Sequence, residues 1–510
     1  MNENLRKTNI LETKAILLMT IFFSIVFISL SFSIGTNTFS NDSLPFLPRA
    51  AITHDPISIQ GNNQLNDTCS QGNGTYGNPY IMEDYEIDAS TADGIKISDT
   101  TAYLIIRNCT VEDGGSNYYG IFLNNCTHVN ITDNDLNNNR YGIYLKNVNH
   151  TSLDDNDCYG SSLAGLYLKS SHKNDISDND CVFNPTASGI VLSSSNNNCL
   201  FNNHFSNNGY HGFGLYSSKF NNITDNECSD NSWNGIYMSL SNNNTISNNE
   251  CKSNEKNGIK MVTSENNTIS ENDCIYNDES GIQLLSSSFN NLSDNDCSNN
   301  DINGISLITS NHNNTISDNN CLRNSNLALD ANGIYIEESH NNTLSYNNCS
   351  GNDAAGIILT TSSKNNSIRE NDCIDNYYGI QLNDSSNDNS VLDNDCLNNS
   401  ASGIMLSSSS DNIISDNECS KNSLYGIHLI SASNDNEITG NQLIHNVLAC
   451  INVTSSCSGN LIENNLCKNI GDNGDDQIPS FPLIVFVPLG IISIIVIGLG
   501  SRKKLNLILK

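Results

Sequence analysis

Gly235-Ile236-Tyr237-Met238-Ser239-Leu240-Ser241-Asn242-Asn243-Asn244-Thr245-Ile246-Ser247-Asn248-Asn249-Glu250-Cys251 is the stretch that decides the fold of this chain. Ile236 and Met238 alternate with Tyr237, the period-2 pattern of a strand with one face turned inward. A polar Ser/Asn turn follows. Ile246 is the single apolar residue of a second short run, and Cys251 is that of a third, beyond a bend near Asn249. The glycine-led unit returns about every 23 residues from Gly94 to Gly426. No run has the 3.6-residue spacing or the length of an ordinary helix. Three strands and three turns per period predict one coil of an all-β parallel β-helix, a single-stranded solenoid whose coils stack about 4.8 Å apart. About 16 coils make a rod of about 75–80 Å.

Stacking turns the period into columns. Ile143, Leu166, Ile190, Phe213 and Ile236 form one apolar column, Leu145, Leu168, Leu192, Leu215 and Met238 a second, and Ile131, Leu153, Ile176, Leu200 and Ile223 a third. The bend residue is Asn in rung after rung, including Asn156, Asn179, Asn226, Asn249, Asn272 and Asn295. Asn tolerates left-handed backbone angles, and its amide both donates and accepts, so a bonded ladder is expected. Two residues later comes Cys in most rungs, among them Cys158, Cys181, Cys228, Cys251, Cys274 and Cys297, with Leu136, Phe205, Leu443 and Leu466 in the same slot elsewhere. A slot shared by Cys, Leu and Phe reads as an inward apolar position. Disulfides between neighbouring rungs and a soft-metal column are the alternatives. Outside that slot, Cys109–Cys126 and Cys450–Cys457 are the candidate disulfides.

The 510 residues carry a net charge of -32, which argues against a nucleic-acid partner, because phosphate binding needs clustered Lys and Arg. The carboxylates follow the repeat. Asp155, Asp178, Asp225, Asp294 and Asp393 precede the ladder Asn, and Asp157, Asp180, Glu227, Asp296 and Asp395 follow it. Like charges about 4.8 Å apart repel by about 0.9 kcal/mol in water. Two readings follow: a screened, solvated edge, or a weak multi-site ridge for Ca²⁺ or Mg²⁺. No other cofactor is implied.

Both ends read as membrane-related. Residues 1–36 form a basic start and a long apolar run, a signal peptide or signal anchor, and 37–51 a linker. Residues 52–93 are expected as strands capping the solenoid, 94–467 as the repeats and 468–480 as an acidic linker. The apolar stretch 481–499 is long enough for a transmembrane helix, and the basic tail 500–510 places that end in the cytoplasm. The repeats then lie outside the cell membrane on a single-pass or doubly anchored chain, where N-x-S/T sequons such as Asn130-Ile131-Thr132 are open to glycosylation.

Functional chemistry is sparse. The outward residue of the first strand is aromatic at Phe122, Tyr144, Tyr167, Tyr237 and Tyr335. Such rings stack on sugars, although Tyr is also an ordinary strand residue. The short, similar turns give little wall for a catalytic groove, and the Arg residues share no register. His172, His312 and His340 read as turn residues far apart along the rod.

The repeat G-I-x-L-x-x-S-x-x-N-x-I-x-x-N-x-[C/L], with its lead-in Gly77-Asn78-Pro79-Tyr80-Ile81 to Glu86-Ile87-Asp88, resembles the PbH1-type right-handed parallel β-helix repeats of NosD-like proteins and of carbohydrate-binding and sugar-hydrolysis domains. The resemblance covers about 52–467. It implies the fold and says little of function, because many activities share this scaffold; the residues favour a membrane-anchored surface rod that binds glycans, divalent cations or envelope proteins without catalysis. A polysaccharide lyase or hydrolase and a NosD-like accessory for metal delivery are the alternatives. The Cys column departs from the Ile/Val/Phe more usual at that slot.

Overall fold

The computed structural model describes residues 52–69, 71–326 and 331–468. The segments read as signal anchor, transmembrane helix and basic tail lie outside these residues, and no helix among the described residues is long and apolar enough to cross a membrane. What is described is one right-handed parallel β-solenoid of about 17 turns, one more than the repeat spacing suggests. The extra turn comes from the lead-in. Ile57–Gln60 and Tyr80–Glu83 already pair in register with Ile95–Ser98 and Leu104–Arg107.

The G-I-x-L strands build the first sheet. Ile236 lies against Phe213 on one side and Ile259 on the other, and Met238 against Leu215 and Met261. The second sheet stacks the runs around Ile223, Ile246 and Ile269. The third sheet has true strands only near the ends, such as Thr110–Glu112 against Asp135–Asn137 and Gln442–Ile444 against Leu466–Lys468. Between them it shrinks to single parallel bridges, for example Glu227 to Glu250 to Asp273. All three apolar columns are buried, most of their members fully. Burial at about 25 cal/mol per Å² against the rungs above and below is what holds a rung that has no core of its own.

Room, rather than backbone angle, explains the leading glycine. A Cβ on Gly235 would lie 2.7 Å from the carbonyl oxygens of Cys228 and Gly258 and 3.0 Å from Asn254 Nδ2. The corner is too tight for any side chain.

The Asn ladder is present, with one correction. Asn249 Nδ2 donates to the backbone carbonyls of Ile223 and Ser247 and to Asn272 Oδ1 at 3.0–3.1 Å, and Asn249 Oδ1 accepts from the Asn226 backbone N–H at 3.0 Å. The left-handed residue, however, is the one before it: Asn248 has φ 55° and Asp155 φ 57°. Two further ladders accompany it, through Asn221, Asn244 and Asn267 and through Asn231, Asn254 and Asn277. A Ser ladder runs through Ser218, Ser241 and Ser264. The repeat motif holds the Ser241 and Asn244 positions without showing that they form ladders, and it omits the Asn254 column, because a chain this rich in Asn and Ser hides periodic positions among irregular ones.

Other differences are local. An eight-residue helix, Gly61–Thr68, closes the first turn with Leu65 fully buried, although no helix is expected from the sequence. Cys109 and Cys126 are free and buried at different corners. Cys109 fills the ladder slot below Asn134, whereas Cys126 packs near the Ile97 carbonyl. Cys450 is bonded to Cys467, not to Cys457, with Cα atoms 5.8 Å apart. The last ladder residue is Asn465, so the inward slot belongs to Cys467, paired with Leu443, and Leu466 is exposed. His312 and His340 are one rung apart, their rings stacked 5.0 Å apart, because the long turn between them adds residues without adding a rung. His312 accepts the His340 backbone N–H through Nδ1 at 3.1 Å, so it serves as a ladder member.

Candidate functional site

The outward face of the first sheet gathers the rings. Phe122, Tyr144 and Tyr167 are direct neighbours on consecutive strands. Phe122 stacks on Tyr144 with centroids 5.1 Å apart and planes 21° apart, and Tyr144 meets Tyr167 edge-on at 5.2 Å. Two residues missed in the sequence complete the group. Tyr119 and Tyr141 precede the rung glycines, and each lies 5.0–5.7 Å from its ring neighbours. The signal that finds them is an aromatic residue immediately before the repeat glycine, in Tyr119-Gly120 and Tyr141-Gly142. Together the five rings form a half-buried tray across three rungs.

Farther along the same face, Val191 and Gly214 interrupt the row. The Tyr216 ring lies over Gly214, where a Cβ would come within 3.0 Å of it. Tyr237 resumes the row and stacks on His211 at 4.6 Å, with planes 3° apart, beside Tyr210 and Trp233. Tyr335 is not part of either group. It lies between Ser306 and Ile358.

Burial first, and then the neighbouring phenols, push Tyr144 up to about 12, and burial does the same for Tyr216 and Tyr335. These hydroxyls stay neutral. A general base needs the opposite direction. The outward positions of the tray's strands are Phe122, Asn124, Tyr144, Lys146, Tyr167 and Lys169, with no carboxylate among them, and glycoside hydrolysis calls for a pair. The tray is a surface for stacking and hydrogen bonding.

The carboxylate rows are in register along one edge and wholly or partly exposed, from Asp155 and Asp157 through Asp178 and Asp180, Asp225 and Glu227, Asp294 and Asp296, to Asp393 and Asp395. Partial burial and adjacent carboxylates raise Asp155, Asp157 and Asp395 above the usual range. The first row occupies the left-handed turn position, for which Asp and Asn are suited on backbone grounds alone. His204 lies 3.4 Å from Asp180 and 3.5 Å from Glu227, and Lys252 bridges Glu250 and Asp273 at 3.0 and 3.2 Å. Among the described residues no three His, Cys, Asp or Glu side chains converge as a metal site.

The cysteine column is fully buried at Cys158 and Cys181 and without a break from Cys228 to Cys419. Burial pushes Cys181, Cys228, Cys274 and Cys297 well up. At Cys251 S–H donation from Cys228 and Cys274 opposes the upward push of burial. In a dry stack the burial effect is the one that governs, since a lone thiolate there has no solvent. A shallow groove of about 270 Å³ on the second sheet, lined by Tyr76, Tyr103, His128, Asn130, His150 and Ser152, is a further feature that the sequence did not reveal.

Several solved structures resemble this chain at low identity. One is the A-module of the mannuronan C-5 epimerase AlgE6 of Azotobacter vinelandii, 13% identical, covering 66% of this chain and 89% of its own, with a TM-score of 0.41. Another is a variant of the periplasmic alginate epimerase AlgG, 13% identical over 82% and 85%, TM-score 0.31. A third is an alginate lyase from Paenibacillus sp. str. FPU-7, 12% identical over 56% and 99%, TM-score 0.24. No curated protein matches the chain. The family described as right handed beta helix region matches residues 180–321. A second family matches residues 49–231 and 317–465, well over half of the chain, so the protein belongs to the family described as periplasmic copper-binding protein (NosD).

Proposed function

We propose that this chain is a non-catalytic, glycan-binding rod of the cell exterior, held at the membrane by its terminal segments. The observation that carries the reading is the tray of Tyr119, Phe122, Tyr141, Tyr144 and Tyr167. Half-buried rings fixed by their neighbours offer apolar faces with polar rims, at little entropic cost on binding. A chain of sugars laid along the rod axis meets a new ring at each rung. The periplasmic setting in the family's description supports an exported repeat domain. Copper, also named there, is not carried over: the thiols of the cysteine column are sealed in the core, and no three His, Cys, Asp or Glu side chains converge among the described residues. The carboxylate edge takes the role of a hydrated rim that binds Ca²⁺ or Mg²⁺ weakly.

The test is retention of the purified protein on a panel of immobilised polysaccharides, with Tyr144→Ala beside it. Retention without release of products, weakened by Tyr144→Ala, supports the reading. Release of shortened or unsaturated chains replaces it with the enzyme reading, and no retention on any polysaccharide removes it.

A further inference from the structure

We propose that the aromatic tray selects polyanionic glycans, chains bearing one carboxylate or sulfate per sugar, and that Arg140, Lys146 and Lys169 make the selection. This rests on the glycan-binding reading and adds the chemical class of the ligand.

The chain is strongly acidic overall, at -32, yet this face is locally basic. Lys96 extends over the Phe122 ring, 5.7 Å from its centroid, and Arg140 lies 5.7 Å from the Tyr119 centroid and 6.0 Å from that of Tyr141. Lys146 and Lys169 are exposed and directly opposite one another on adjacent strands. Like charges in that position destabilise a sheet. Elsewhere on the rod such crowding is relieved within the protein, as where Lys252 bridges two carboxylates. At Lys146 and Lys169 no ion pair is formed among the described residues. Lys96 alone has a partner in the group, Asp93 at 3.5 Å.

Arg140 supplies the second observation. It is half-buried among the rings, and its Nε, closed off from solvent, has no hydrogen-bond partner. The guanidinium is therefore held against two rings with no hydrogen bond at Nε and no ion pair among the described residues. Planar guanidinium groups match carboxylate and sulfate oxygens, and lysines add charge without fixed geometry. Lys146 and Lys169 stand one rung apart, about 4.8 Å, and Arg140 lies at the other end of the strand Tyr141–Lys146, so cations border the rings on both sides of an axial chain.

The experiment uses the full-length protein and polygalacturonate in its free-acid and fully methyl-esterified forms, which share a backbone and differ in charge. Dextran sulfate, dextran and a single-stranded oligonucleotide complete the set. The wild type is expected to bind the free acid at least about tenfold more tightly than the ester, with the difference reduced by salt. Lys146→Gln with Lys169→Gln should remove most of that difference and Arg140→Gln part of it; unaltered thermal unfolding confirms that the variants fold. Comparable binding of dextran sulfate assigns the selection to charge, whereas preference for the free acid assigns it to the carboxylate. Equal binding of acid and ester overturns the inference and leaves glycan binding intact. Failure of every polysaccharide removes both, and tighter binding of the oligonucleotide overturns the choice of glycan.

Discussion

Replacing Asn249 by Ala tests the physical basis of the rod. The side chain makes three donations and accepts from both the backbone and the amide of Asn226, all at 3.0–3.1 Å. Alanine leaves the Asn226 N–H without a partner inside the wall and takes a donor from the Ile223 carbonyl. Each buried orphan costs about 1–3 kcal/mol, so a total of about 3–5 kcal/mol is expected, including the small void. The same change at Asn465, in the half-exposed last rung, should cost about 1 kcal/mol, because water replaces the lost groups. Urea unfolding of the two variants gives the difference, and hydrogen exchange at the Asn226 amide locates it, which matters because a solenoid opens in segments. Equal costs at the two positions would refute the argument, since the ladder would then contribute no more in the interior than at a wet end.

Gly235→Ala should be at least as damaging, about 3 kcal/mol or more by calorimetry, because the atoms in the way are backbone carbonyls that do not move aside. Gly214→Ala meets only the Tyr216 ring and should be mild in comparison. The thiols from Cys228 to Cys419 should resist a thiol reagent at pH 8 until the protein is unfolded, and Cys274→Ser should cost about 1–3 kcal/mol by burying a hydroxyl; rapid native labelling would contradict the sealed column. Burial, with Lys260 nearby, holds His211 down to about 3. As pH falls below its ordinary value of 6.5, the unfolded chain binds a proton that the native state refuses. Stability is therefore complete above that value and declines toward pH 3, by about 2 kcal/mol at pH 5. His211→Asn, which keeps the acceptor for Asn234, should flatten that decline in melts recorded between pH 7 and pH 5.

The rod was legible because its signal is geometric. Ile236, Ile246 and Cys251 mark three inward faces, and a period that returns each to the same place leaves few other folds. Tyr144 and Tyr167 were legible as outward for the same reason. What escaped depends on where side chains travel after leaving the backbone. Tyr119 precedes its strand and Tyr141 opens the next, and only their lean across the sheet brings Tyr119 to Phe122 and Tyr141 to Tyr144 and Tyr167. Tyr216 fills the gap over Gly214 from a neighbouring column. Arg140 appeared isolated because its partners are rings rather than charges. The Cys450–Cys467 bond was missed through a one-residue error in the last rung, where Asn464 and Asn465 compete for the ladder position.

The Asn and Gly columns carry one more consequence. Each rung offers the same upper and lower surfaces as its neighbours, with equivalent atoms 23 residues apart through the middle of the rod. Excising 236–258 would join Gly235 to Ile259 and restore every column, whereas removing half that length would set Ile against Asn throughout. Growth and shortening by whole units are thus open to such a gene through unequal exchange, and the length of the rod becomes a quantity that evolution can adjust in steps of one strand spacing.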